Sequence, residues 1–226
     1  MALILNMDTA TEQASVCLSK NGECVIEKRN SHQKEHASFI HVAIQQVLEE
    51  TGIRIDDLDA VACTIGPGSY TGLRVGLSTA KGLSFALKKP LIGVNTLKLM
   101  AASGANRFAE TGIIQPGMLL CPMIDARRME VFVGLFNVAL EEKLSPCAMV
   151  LTEGSLAEWQ SHPVICFGNG SEKFKSLAGK NVQFVDNEHS ACDLGVLAEE
   201  CFRTRCFIDI AYSTPVYLKE FYIPGS

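Results

Sequence analysis

The sequence predicts an α/β protein built as two duplicated subdomains, and three observations carry that prediction. Strand-like apolar runs alternate with stretches of helical periodicity along the chain. A unit of apolar run, aspartate, turn and second apolar run occupies residues 3–19 and recurs at 119–135, with Asp8 and Asp125 in the same place. Between the copies lie the breaker-rich segments Ser103-Gly104-Ala105-Asn106 and Gln115-Pro116-Gly117. A repeated unit indicates two similar subdomains, expected here at 1–103 and 104–226, with the last residues, 212–226, able to pack back on the first.

Residues 3–7 are apolar, Asp8-Thr9-Ala10-Thr11 has turn chemistry, and residues 14–19 resume before Asn21-Gly22, the pattern of a β-hairpin. Ile40, Ala43, Ile44, Val47 and Leu48 share one helical face that Gly52 ends. Phe39 and Val42 fall on its flank, either as part of a partner surface or packed under a loop of the same chain. Residues 59–65 read as a short buried strand, followed by the turn Gly66-Pro67-Gly68-Ser69-Tyr70-Thr71-Gly72 and a helix through Leu73, Leu77, Ala80, Leu83 and Leu87. Gly72, Gly76, Ala80 and Ser84 form a ridge along that helix. Glycine inside a helix costs roughly 1 kcal/mol relative to alanine, so the ridge implies a close approach, by the sheet or by another protein. In the second half Ser155-Leu156-Ala157-Glu158 has capping-box spacing, residues 164–167 read as a strand ending in Gly168-Asn169-Gly170, and Leu194, Leu197, Ala198, Cys201 and Phe202 form a helical stripe.

Hydrophobic residues make up 47% of the 226 and charged residues 20%, which excludes a disordered chain, and no apolar run is long enough to span a bilayer. The apolar start carries no basic residue before Lys20, so no secretory signal is read and a cytoplasmic protein without membrane contact is expected. With 20 Lys+Arg against 25 Asp+Glu the net charge is −5, so the chain lacks the positive field of a nucleic-acid binder and any RNA is expected to be held by a partner. Nine cysteines without a Cys-x-x-Cys pair suggest neither a disulfide framework nor a zinc ribbon, and buried thiols are expected.

Three constellations could carry chemistry. The glycine turn at 66–72 sits where backbone N–H groups and a helix dipole bind anions, although it is neither a Walker loop nor the dinucleotide fingerprint and serves equally as a tight connection. Asp8 and Asp125, one in each subdomain, would suit Mg²⁺-bound phosphates or would each shape a turn. Asp8, Thr9, Gly66, Gly68, Ser69 and Asp125 are therefore the candidate phosphate-binding residues. His32-Gln33-Lys34-Glu35-His36 matches H-x-x-E-H, in which two histidines hold zinc beside a glutamate base, but its place at a polar helix start also fits a solvated face. Ser69 is not in a G-x-S-x-G elbow and has no assigned histidine.

Met7-Asp8-Thr9-Ala10-Thr11, the run Gly66-Pro67-Gly68-Ser69-Tyr70-Thr71-Gly72-Leu73-Arg74-Val75-Gly76, Ala80-Lys81-Gly82-Leu83, Pro90-Leu91-Ile92-Gly93-Val94-Asn95-Thr96 and Ile124-Asp125-Ala126-Arg127-Arg128 together resemble the TsaB family. Its members are accessory proteins of bacterial tRNA threonylcarbamoyladenosine biosynthesis. The resemblance covers most of the chain, is specific over 59–135, and extends to Phe167-Gly168-Asn169-Gly170 and Pro215-Val216-Tyr217-Leu218.

The resemblance implies an actin, hexokinase and Hsp70-like (ASKHA) fold and a non-catalytic role. Family members bind and activate the paralogue TsaD, which transfers threonylcarbamoyl to adenosine at position 37 of tRNAs reading codons that start with A, and the ATPase TsaE acts on the pair. Where the paralogue has histidine metal ligands, this chain has Val94-Asn95-Thr96-Leu97-Lys98-Leu99-Met100, so no metal is expected there. The helices at 36–51 and 70–88 would form the shared bundle, with His36, Phe39, Ile40, Val42, Gly72, Leu73, Gly76, Leu77, Ala80 and Ser84 as interface. A homodimer is expected for the chain alone. No cofactor is expected to be held tightly by it, with ATP or ADP and Mg²⁺ at the heteromer interface left open. Older descriptions of related sequences as glycoproteases supply the alternative, a zinc metallopeptidase using His32, Glu35 and His36; a small-molecule kinase of the same fold, binding Mg-ATP through Asp8 and Asp125, is a third.

Overall fold

A computed structural model describes residues 2–31, 36–159 and 161–219. The first sheet contains β1 (Leu3–Asp8), β2 (Ala14–Lys20), β3 (Glu23–Asn30), β4 (Ala60–Gly66) and β5 (Leu91–Asn95) in the order β3-β2-β1-β4-β5. β1, β2 and β3 run antiparallel, while β4 and β5 run parallel to β1. Asn21 and Gly22 turn β2 into β3 with φ of 55° and 82°, the left-handed pair that suits a two-residue hairpin.

The second sheet holds β6 (Leu119–Asp125), β7 (Glu130–Asn137), β8 (Glu142–Val150), β9 (Val164–Phe167) and β10 (Val182–Phe184) in the order β10-β9-β6-β7-β8. Read from the other edge, this is the same topology: an antiparallel meander followed by two parallel strands. Asp8 and Asp125 both end the first strand of their sheet. Two copies of this unit make the fold the duplicated ASKHA type.

Among the described residues four α-helices accompany the sheets: α1 (His36–Thr51), α2 (Tyr70–Leu87), α3 (Thr96–Glu110) and α4 (Ala191–Thr204). Alternation along β1 and β2 sends Leu5, Met7, Val16 and Leu18 into one core with Ile40, Ala43, Ile44 and Val47 of α1 and Leu77 and Ala80 of α2. Asn6, Asp8, Ser15, Cys17 and Ser19 point to the other face, which is small and polar. There α4 covers the sheet, with the Ala191 N–H donating to Ser15 Oγ at 2.8 Å. Ser190 caps α4 and forms a reciprocal capping box with Asp193. In the second unit Leu119, Cys121, Met123, Val131, Val133 and Leu135 pack with Val164, Cys166 and Phe174. No helix among the described residues is long and apolar enough to cross a membrane.

Three expectations need correction. The chain divides into Met1–Leu99 with Glu188–Pro215, and Met100–Asn187 with Val216–Ser226, rather than at residue 103. The return to the first unit thus begins well before residue 212, because α4 buries Leu194, Leu197 and Ala198 there and Ile208 then bridges to Leu91 at the edge of β5. Ser155 does not cap an α-helix: its Oγ accepts from the Thr152 N–H, Leu156 adopts φ 62°, and only a 3₁₀ turn follows at Ala157–Trp159. The cysteines are not all buried thiols. Cys24 and Cys192 form a disulfide, distant in sequence and so invisible to spacing, and Cys206 is exposed.

Candidate functional site

The glycine turn after β4 is filled by the chain's own β1–β2 turn. The Ser69 N–H donates to the Ala10 carbonyl at 2.6 Å, and Thr9 Oγ1 donates to the Gly72 carbonyl at 2.7 Å. Ser69 also caps α2, its Oγ accepting from the Gly72 N–H at 3.3 Å. A side chain on Gly68, at φ +157°, would collide with the Ala10 carbonyl, and one on Gly72 with the carbonyl oxygen of Thr9. The close approach that the Gly72–Gly76 spacing implies is therefore made by residues 9 and 10. The Ser69 N–H, one of the donors a phosphate would use, serves this internal contact, and the backbone at Gly68 and Gly72 lies against residues 9 and 10.

Asp8 is closed in the same way. It is 1% exposed, and its Oδ1 accepts from the Ala10 N–H at 3.0 Å and from Thr64 Oγ1 at 2.8 Å. The ring of His189, on the segment leading into α4, places Nε2 3.3 Å from Oδ2. Burial opposes the charge, but the His189 ring, the Ala10 N–H and the Thr64 hydroxyl outweigh it and hold the carboxyl below its ordinary value. Mg²⁺ could reach Asp8 only by displacing this set.

Asp125 occupies the equivalent position but lies open, its side chain 39% exposed. Its Oδ1 accepts from Lys173 Nζ and from the Arg127 N–H, both at 2.6 Å. The modest desolvation raises its pKa, and these two donors more than reverse that. Its own N–H donates to Asn169 Oδ1 at 2.9 Å. Gly170 presses on the backbone of Ile124 and Asp125 much as Gly72 presses on Thr9, so both units fix the end of their first strand with a glycine turn. Each aspartate thus anchors a turn within its own unit. Neither stands with a free carboxylate among pre-formed phosphate donors.

His32 and Glu35 lie outside the described residues. His36 opens α1 and is 3% exposed, with Nε2 3.1 Å from the Glu12 carbonyl oxygen. That contact ties the helix start to the β1–β2 turn.

The residues expected at a partner interface divide into two groups. Gly72, Leu73, Gly76, Leu77, Ala80 and Ser84 are buried on α2, and Ile40 is buried on α1. They face the chain's own sheet and β1–β2 turn, so they cannot form a contact surface. Phe39 is partly buried against the same core. Val42, by contrast, is 54% exposed, and Phe85 on α2, which the periodicity argument passed over, is 77% exposed. Phe85 follows Ser78 and Gly82 along the face of α2 opposite Leu77, and open space surrounds the Gly82 Cα. The same spacing that marked the buried ridge would have found this second stripe. On its N-terminal side Arg74 stacks on Tyr70 with 3.9 Å between guanidinium and ring centre. His189 and Lys173 were missed for another reason: no local pattern links either to its aspartate.

Residues 25–216 match a family model described as TsaD, tRNA N6-adenosine threonylcarbamoyltransferase. The tRNA threonylcarbamoyladenosine biosynthesis protein TsaB of Escherichia coli strain K12 is 36% identical over 133 residues, covering 57% of this chain and 52% of that protein. TsaB of Bacillus subtilis strain 168 is 28% identical over 182 residues, covering 77% of this chain and 74% of its own. The chain thus spans about half of the Escherichia coli relative (52%). Among solved structures, YeaZ from Pseudomonas aeruginosa superposes with a TM-score of 0.81 at 26% identity, over 96% of this chain and 100% of the other.

Proposed function

Because the chain belongs to the TsaB family, within the wider family of the TsaD transferases, we propose that it is a non-catalytic subunit in tRNA threonylcarbamoyladenosine formation that binds and activates a TsaD-type transferase. The observation that carries this reading is the pair of large apolar side chains, Val42 and Phe85, left on the outer faces of α1 and α2. Full burial of such a side chain is worth about 1.5–3 kcal/mol, so a partner that covers their remaining exposed surface gains part of that at each. Gly82 and Ser78 beside Phe85 let a partner helix approach closely. The commitment of Asp8 and the glycine turn to internal contacts agrees with a chain that contributes a surface rather than a reacting group.

In this reading the same stripe covers a second copy when the transferase is absent, a TsaE-type ATPase acts on the assembled pair, and tRNA is held by the transferase, since this chain carries a net charge of −5. Nucleotide and Mg²⁺ belong to the heteromer rather than to this chain alone, and the complex works in the cytoplasm.

The test is reconstitution with a TsaD-type transferase, a TsaE-type ATPase, the threonylcarbamoyl-adenylate synthase, ATP, bicarbonate, threonine and tRNA. Modified nucleoside should form only when this chain is present, and Phe85→Arg should abolish both pairing and product while leaving the circular dichroism unchanged. Product formation that does not depend on this chain would overturn the reading.

A further inference from the structure

β3 is an edge strand, and its register against β2 slips once. Leu18 stands opposite Ile26 and Ser19 opposite Cys24, so Val25 is an extra residue, a β-bulge. Side chains alternate along a strand. With regular pairing Cys24 would stand opposite Lys20 and share the face of Leu18, away from α4. The bulge moves it to the face that carries Ser15, Cys17, Ser19 and Glu27. On that face the first turn of α4 delivers Cys192, whose N–H donates to Glu27 Oε1 at 3.0 Å.

Three sulfurs converge as a result. The Sγ atoms of Cys17, Cys24 and Cys192 all lie within 4.8 Å of one another, with Cys17 Sγ 3.5 Å from Cys24 Sγ. The Cys24–Cys192 disulfide accounts for two of them and leaves Cys17 as a fully buried third. Three thiolates bound at about 2.3 Å to one ion stand about 4 Å apart, the spacing of this cluster.

We propose that, once Cys24–Cys192 is reduced, Cys17, Cys24 and Cys192 form a three-thiolate site for a thiophilic d10 cation of the Zn²⁺ type. The charges around the cluster favour a cation. Burial, then Glu27 and Asp193, push the Cys17 thiol up to about 12 against the opposing effect of Arg29, which itself pairs with Glu27. A lone Cys17 therefore keeps its proton, whereas a coordinated thiol loses it. Cys24 is exposed on the edge strand, which provides the ion's path in and leaves a fourth position to water. The chemistry balances without oxidant: a phosphine or dithiol supplies two electrons and the disulfide takes up two protons to give two thiols. The divalent ion then replaces the three thiol protons with no change in its own oxidation state.

The test uses the full chain reduced with a phosphine and titrated with Zn²⁺ alone, then with Co²⁺ as a spectroscopic probe. A single ion per chain and a sulfur-to-cobalt charge-transfer band are expected. Both should be lost in Cys24→Ser and Cys17→Ser and retained in Cys147→Ser and Cys206→Ser. Cys24 is exposed, so its serine variant keeps the fold even if Cys17→Ser does not, and circular dichroism checks each. Absence of binding by the reduced chain, or equal binding by Cys24→Ser, would overturn the site and leave a disulfide pair alone.

Discussion

Asp8 and Asp125 show how one position can be used in two ways. Both end the first strand of a repeat and accept an N–H two residues on. Asp8 is sealed by Thr64 and His189, whereas Asp125 faces solvent beside Lys173. Since the folded-state pKa of Asp8 is depressed, its stabilisation is complete above its unfolded value of about 3.9 and is lost as pH falls through the lower folded value. Asp8→Asn should therefore lower stability near neutral pH by about 2–4 kcal/mol and flatten the acid limb of the stability profile. Urea unfolding from pH 7 down to roughly pH 2 measures both. An unchanged acid limb would mean that Asp8 gains nothing from its charge. The repeat made both aspartates legible in the sequence, and His189 was not, because a contact between the first strand and the segment before α4 has no local signature.

Helix α2 carries two stripes of small and apolar residues with opposite uses. Gly72, Gly76, Ala80 and Ser84 admit the β1–β2 turn and the sheet, while Ser78, Gly82 and Phe85 face outward. Spacing identified the first stripe but not what approaches it, since a hairpin and a partner helix both require small residues. Substitutions separate the two. Leu77 is 3% exposed within the core, so Leu77→Arg should abolish cooperative unfolding, whereas Phe85→Arg should leave the urea-derived unfolding free energy within about 0.5 kcal/mol of wild type and remove self-association in sedimentation experiments. The glycines divide similarly. Gly72→Ala places a methyl on the Thr9 carbonyl and should cost about 1–3 kcal/mol, while Gly82→Ala meets open space and should stabilise by up to about 1 kcal/mol. Equal effects at the two positions would refute the assignment of faces.

The duplication is legible at the level of strands and turns, but the helices do not stay with their repeats. α3 follows β5 of the first repeat, yet its residues from Met100 onward belong to the second unit, where Phe108 packs edge-on against Phe167 at 5.3 Å. α4 follows β10 of the second repeat and covers the first sheet. Periodicity reveals which face of a helix is apolar but not which sheet it will cover, so a division at residue 103 followed from the sequence and the exchange did not. The consequence concerns folding of the whole chain. A chain ending at Asn187 lacks α4, leaving Asn6, Ser15, Cys17 and Ser19 uncovered and Asp8 without His189. It should show no cooperative urea transition for the first unit, whereas a chain ending at Pro215 should retain one. The fragment 1–103 should likewise fail to fold alone and should regain protected amides in β1 and β2 when mixed with 104–226, because the second piece holds α4, which covers the first sheet. Independent folding of 1–103 would show that α4 is dispensable to the first unit, and the cluster of polar side chains beneath it would then need another explanation.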